Sequence, residues 1–99
     1  MSFILTMKTT RKQVEDDVYI MPRYFDNIRN HLVAIGKLLE TSVNWSSDGL
    51  ERTVIWKFDS KSSYEEWNTN PVIVDAFTEL EAYNLSKDIT REVLVEEIE

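Results

Sequence analysis

Residues 41–59 read TSVNWSSDGLERTVIWKFD, two runs rich in alternating β-branched and aromatic residues, Thr41 to Ser47 and Leu50 to Asp59, that meet at Asp48-Gly49. Asp-Gly between such runs is a strong short hairpin signal, because the favoured tight turn needs positive φ and these two residue types tolerate it. In the first strand Val43 and Trp45 share a face. In the second, Leu50, Arg52, Val54, Trp56 and Phe58 share one face, while Thr53 and Ile55 take the other. Apolar residues on both faces imply a sheet covered on both sides, one cover being the chain's own helices and the other a second copy.

Upstream, Arg23 to Glu40 places Ile28, Leu32, Ile35 and Leu39 at spacings of four, three and four. That is the inward stripe of one helix, with Asp26, Arg29 and Lys37 left to solvent. Gly36 lies inside this stripe and costs about 1 kcal/mol of helix propensity relative to Ala. Either a strand or ligand approaches closely there, or the last helical turn is loosened. Before the helix, Phe3, Leu5 and Met7 alternate with Ile4, Thr6 and Lys8, so residues 3–10 read as a strand. Residues 11–21, polar first and then Val18-Tyr19-Ile20-Met21, read as a structured loop, with Pro22 fitting the first turn of the helix.

Downstream, Ser62 with Glu65, or Ser63 with Glu66, has the spacing of a capping box, which starts a second helix near Ser62. Asn68-Thr69-Asn70-Pro71 breaks it, since proline disfavours helical geometry at the preceding residue and Asn70 can cap a new piece that begins at Pro71. There Ile73, Ala76, Phe77, Leu80 and Tyr83 form the inward stripe. Ile89 to Ile98 closes the chain as a strand whose Val93, Leu94 and Val95 serve both faces. The order strand, helix, strand, strand, helix, strand is the split βαβ arrangement of a ferredoxin-like α+β sandwich with a four-stranded antiparallel sheet.

A length of 99 residues fits one domain, 1–99, with a surface-to-volume ratio that favours association. The net charge of -7 repels phosphate backbones. Lys8, Arg11 and Lys12 are followed by Glu15, Asp16 and Asp17, which cancel their field beyond a Debye length of roughly 10 Å, so no nucleic-acid partner is expected. With no cysteine, disulfides, thiolate metal sites and cysteine nucleophiles are all removed. Neighbouring carboxylates such as Asp16-Asp17, Glu65-Glu66 and Glu96-Glu97 diverge in space and read as solvating charge, and no glycine-rich phosphate loop exists. Neither cofactor nor metal is therefore expected. Met1 to Met7 has no basic leader, and no stretch approaches the roughly 20 apolar residues of a membrane span. The expectation is a cytoplasmic protein without a membrane partner.

The element order, the Tyr64-Glu65-Glu66-Trp67 turn into a helix interrupted at Asn70-Pro71, and the closing strand resemble, over residues 3–98, the dimeric α+β barrel superfamily, including antibiotic biosynthesis monooxygenase-like domains. The resemblance implies a homodimer with two sheets packed back to back and a small-molecule pocket between each sheet and its own helices. It does not choose an activity, since the superfamily includes oxygenases, haem-degrading enzymes, dismutase-like enzymes and isomerases. Haem-degrading members place a ligating histidine on the second helix, where this chain has none, although Asn27, Asn30 and Trp67 match other residue types at such sites. Cofactor-free oxygenases of the superfamily surround their aromatic substrates with tryptophan, asparagine, tyrosine and arginine, types that Trp67, Asn68, Tyr64 and Arg91 supply here.

Within that frame the pocket walls are Ile28, Leu32, Trp56, Trp67 and Phe77, with His31, Tyr64 and Arg91 as polar groups. His31, the only histidine, is the candidate proton acceptor, although a histidine flanking a helix's apolar stripe is more simply a hydrogen-bonded boundary residue. Arg52 and Arg91 each interrupt an apolar strand face. Each either pairs across the sheet with Glu51, Glu92 or Glu97 or holds the carboxylate of a ligand. Two functions follow. One is binding of an apolar or aromatic molecule, fatty-acid-like or polycyclic, with cofactor-free oxygenation as its enzymatic form. The other is a non-catalytic dimeric structural or interaction module in which the aromatics are only core.

Overall fold

Residues 2–98 are described by a computed structural model, in the order β1 (Ser2–Thr10), α1 (Arg23–Ala34), β2 (Leu38–Trp45), β3 (Glu51–Phe58), α2 (Lys61–Thr69), α3 (Pro71–Lys87) and β4 (Thr90–Ile98). The strands form one sheet in the order β2-β3-β1-β4 with every neighbouring pair antiparallel, which is the ferredoxin-like arrangement. Register fixes which side chains share a face. Phe3, Leu5, Met7 and Thr9 of β1 stand opposite Phe58, Trp56, Val54 and Arg52 of β3. The same β1 residues face Glu97, Val95, Val93 and Arg91 of β4. This inner face carries Phe3, Leu5, Trp56 and Phe58 into the core, which Phe25 and Leu32 of α1, Trp67 of α2, and Ile73 and Ala76 of α3 complete.

α1 ends at Ala34, not Glu40, and the reason is Gly36. It takes φ +78°, its N–H donates to the Val33 carbonyl at 3.2 Å, and the Lys37 N–H donates to the Leu32 carbonyl at 3.0 Å. These are the two bonds of a Schellman stop with glycine in the left-handed position. Space around an added Cβ is open, so close approach is not what requires the glycine. Ile35 and Leu39 therefore do not line a helical stripe and are half exposed. Leu38 instead starts β2 and is buried, and Leu39 falls at a register shift between Leu38 and Glu40.

The hairpin forms, but with a wider turn than Asp48-Gly49 alone implies. Trp45 pairs with Arg52, the Ser46 N–H donates to the Glu51 carbonyl at 2.8 Å, and only Gly49 has positive φ, at +74°. The Asp48 carboxylate shapes the turn by accepting from the Ser46 hydroxyl at 2.6 Å and the Leu50 N–H at 3.0 Å. These two bonds hold its carboxyl below the usual aspartate range. The second helix starts at Lys61 because Ser60, in extended geometry, accepts from the Ser63 N–H at 3.2 Å. Neither Ser62 nor Ser63 is the cap. The break at Asn70-Pro71 matches the sequence reading, with the Asn70 side chain accepting from the Val72 N–H at 2.9 Å.

Candidate functional site

The inner face of the sheet changes character along its length. At the Phe3–Phe58 end, aromatic rings fill the space beneath the helices. Trp67 lies 5.1 Å from Trp56, 5.8 Å from Phe58 and 5.7 Å from Phe77, centroid to centroid, and Tyr64 lies 4.8 Å from Phe3. At the other end, Thr9, Arg52, Trp45 and Arg91 stand in register, and the chain leaves a cavity of about 300 Å³. Its floor is Met7, Val54 and Trp56; α1 contributes Phe25, Asp26 and Arg29, and α3 contributes Phe77 and Leu80.

Val18, Tyr19, Ile20 and Met21 form the remaining wall. The irregular segment that bears them is tied down at several points. Arg11 donates from Nε to the Gly49 carbonyl and from Nη1 to the Asp16 carbonyl, both at 2.9 Å. The Tyr19 hydroxyl donates to Glu79 at 3.0 Å, and the Tyr83 hydroxyl donates to the Asp17 carbonyl. Burial, and next the bond to Glu79, push the Tyr19 phenol up. An apolar run before Pro22 was visible in the sequence, but its use as a cavity wall depends on these long-range ties.

A second chamber of about 250 Å³ lies beside the first, against Leu5, Tyr64, Trp67, Asn68, Phe77, Arg91 and Val93. Phe77 and Arg91 line both chambers, and the Arg91 guanidinium stacks 4.9 Å from the Phe77 ring centroid. A third hollow of about 310 Å³ between α1 and α2 is lined by Asn27, Ile28, His31, Leu32, Glu66, Trp67 and Asn70. The expected site residues are thus divided. Trp56, Phe77 and Arg91 meet at the first cavity, and Tyr64 and Trp67 join Phe77 and Arg91 at the second. Ile28, His31 and Leu32 meet Trp67 at the third, where His31 is exposed.

The arginines also depart from cross-strand pairing. Arg91 reaches α3 instead, donating to Glu81 at 3.0 Å. Arg52 has no carboxylate partner among the described residues, and its Nε is buried without a hydrogen-bond partner. A buried donor left unmatched costs about 1–3 kcal/mol. Burial, and next the charge of Arg11, lower the Arg52 guanidinium from the usual arginine value. Both cations lie near the Trp45 ring, Arg11 at 4.6 Å and Arg52 at 6.0 Å. Arg29 is engaged by Asp26 at 3.4 Å. Three arginines therefore line one cavity of a chain that carries a net charge of -7.

Trp67 Nε1 is likewise buried without a partner, as is the side-chain amide of Asn84, which lines none of these three cavities. Burial pushes the Tyr64 phenol up, with a smaller contribution from Glu65. Among the described residues, no three His, Cys, Asp or Glu side chains gather as a metal site, and no helix is long and apolar enough to cross a membrane.

The fold places the chain in a structural class, the ferredoxin-like α+β proteins. Solved structures similar to it over nearly their whole length include SnoaB, a cofactor-independent oxygenase from Streptomyces nogalater, with a TM-score of 0.60, 13% identity, and coverage of 99% of this chain and 93% of that one. A candidate antibiotic biosynthesis monooxygenase from Deinococcus radiodurans gives 0.60 and 13%, covering 98% and 92%. A dimeric ferredoxin-like protein from an uncultured marine organism gives 0.57 and 13%, covering 99% and 97%. Similarity at this identity establishes the fold. Neither a protein-family model nor a curated protein sequence matches the chain.

Proposed function

We propose that this protein is a homodimer in which each protomer holds an apolar or aromatic small molecule between its sheet and helices. The observation that carries this reading is the unfilled end of the inner sheet face. There Met7, Val54, Trp56, Phe25, Phe77 and Leu80 surround about 300 Å³, with Arg29, Arg52, Arg91 and Asp26 as its charged groups. That is the composition of a ligand pocket, at the lower end of the usual volume range of roughly 300–1,000 Å³. The second chamber, beyond the Phe77–Arg91 stack, gives a longer ligand somewhere to extend.

The outer sheet face supports the dimer. Ile4, Thr6, Ile55, Leu94 and Ile98 share it by register, and Leu94 and Ile98 are 56% and 45% exposed. A second copy is the economical cover for such a face, and symmetric pairing is the commonest association.

An enzymatic form of the reading is favoured by the similarity in fold to a cofactor-independent oxygenase. In such chemistry the protein orients the substrate, excludes water and accepts a proton. The carboxylate at this cavity is Asp26, whereas His31 lines the separate hollow between α1 and α2. Native mass spectrometry of the purified protein, followed by denaturing extraction and small-molecule mass analysis, tests the proposal. A dimer that carries a discrete extra mass, or that takes up one N-phenyl-1-naphthylamine per protomer, is expected. A monomer contradicts the dimer; a dimer that takes up neither is the result expected of a non-catalytic interaction module.

A further inference from the structure

Four guanidinium groups surround the open end of the inner sheet face, and three of them are already engaged. Arg29 faces Asp26, Arg91 donates to Glu81, and Arg11 spends its Nε and Nη1 on the carbonyls of Gly49 and Asp16. Arg52 differs. It stands on β3, opposite Thr9 on one side and Trp45 on the other, with its side chain lining the cavity. Its Nε is buried, and no hydrogen-bond partner or carboxylate among the described residues meets it.

The charges around it do not supply what is missing. Arg11 is close enough for its charge to oppose that of Arg52. Arg29 and Arg91 line the same cavity, and its one carboxylate, Asp26, is turned to Arg29. The cavity therefore combines a wall of aliphatic and aromatic side chains with a planar cationic fork that has no anion. A fork of this kind matches a carboxylate or similar oxyanion in geometry as well as charge, and the match strengthens where water is excluded.

We infer that the ligand of this cavity is an amphiphilic monoanion, with an aromatic or aliphatic body against Trp56, Phe77 and Val54 and a carboxylate-like group on Arg52. The inference rests on the pocket proposed above and narrows its ligand class. A neutral hydrocarbon would leave the Arg52 charge without an anion; Arg11, bound only to neutral carbonyls, does not line the cavity, so Arg52 is the one cation of the lining that no carboxylate among the described residues meets. No bond is made or broken; the claim concerns recognition.

Two fluorescent probes with the same aromatic body separate the possibilities: 8-anilinonaphthalene-1-sulfonate, an anion, and N-phenyl-1-naphthylamine, which lacks the sulfonate. Both are titrated into the full chain and into Arg52→Gln and Arg52→Lys, after thermal melts of each. The unsubstituted protein is expected to bind the anion at least tenfold more tightly than the neutral probe. Arg52→Gln is expected to weaken the anion at least tenfold while changing the neutral probe less than twofold, and Arg52→Lys to restore part of the loss. Comparable affinity of the two probes for the unsubstituted protein overturns the inference without need of a variant. Equal losses of both probes in Arg52→Gln also overturn it, by showing Arg52 to be a wall. Failure of both probes to bind the unsubstituted protein overturns the pocket itself, and the inference with it.

Discussion

The two ends of the inner sheet face are built on the same strands and answer to different demands. At one end Phe3, Phe58 and Leu38 lie in register beneath Tyr64 and Trp67, where aromatic rings pack against one another. At the other, Thr9, Arg52, Trp45 and Arg91 lie in register beneath Tyr19 to Met21, around an unfilled cavity. Helix placement alone does not account for the contrast, because α3 passes over both ends, with Ile73 packed in the core and Leu80 at the cavity. Side-chain choice does. Large rings at the closed end satisfy packing, while arginines and a small threonine at the open end neither fill the space nor satisfy one another. Packing against the core belongs to the first region, and the recognition proposed above to the second.

The contrast can be broken most strongly at the closed end. Phe58 is fully buried, so Phe58→Ala is expected to destabilise the fold by about 3–5 kcal/mol in urea denaturation, the usual cost of emptying an aromatic site. A smaller loss is expected from the face opposite both regions. Leu94→Glu would place an unpaired charge in the proposed dimer contact and weaken association by about 2–3 kcal/mol, read by sedimentation at several concentrations. Gly36→Ala has room for its Cβ but not the backbone, since φ is +78°. Its expected cost is about 1–2 kcal/mol of stability, with no effect on ligand uptake.

At the open end the direction changes. Arg52→Met removes a buried, unmatched donor, so its stability should stay within about 1 kcal/mol of the parent while binding of an anionic probe is lost. The smallest effect concerns the hairpin. Because the folded-state pKa of Asp48 is depressed, its contribution is present above the unfolded value of about 4 and is lost as pH falls through the folded value. Asp48→Asn keeps an acceptor but does not titrate. Thermal melts of this variant should depend slightly less on pH below about 4 than those of the parent.

Much of the closed end was legible in the sequence, because the signals there are local. Alternation grouped Phe3 with Leu5 in one strand and Trp56 with Phe58 in another, the register then put the two pairs on one face, and Asn70-Pro71 marked the break between α2 and α3. The end of α1 was misread because Ile35 and Leu39 happen to continue the helical spacing, and only the left-handed Gly36 shows that the chain has already stopped. The open end was legible only by residue type. Arg52 and Arg91 stood out as interruptions of an apolar face, but their different fates depend on Glu81 being within reach of one and no carboxylate of the other. His31 was grouped with Trp56 on the strength of the α1 stripe, and the structure divides them between separate cavities.

The most direct measurement of the division between the two ends is a methyl NMR titration with N-phenyl-1-naphthylamine. Shifts at Met7, Met21, Val54 and Leu80, with Leu38 and Ile73 unmoved, are the expected result. Equal shifts across both groups, or shifts confined to exposed methyls such as Leu85, would contradict a ligand cavity at the Arg52 end.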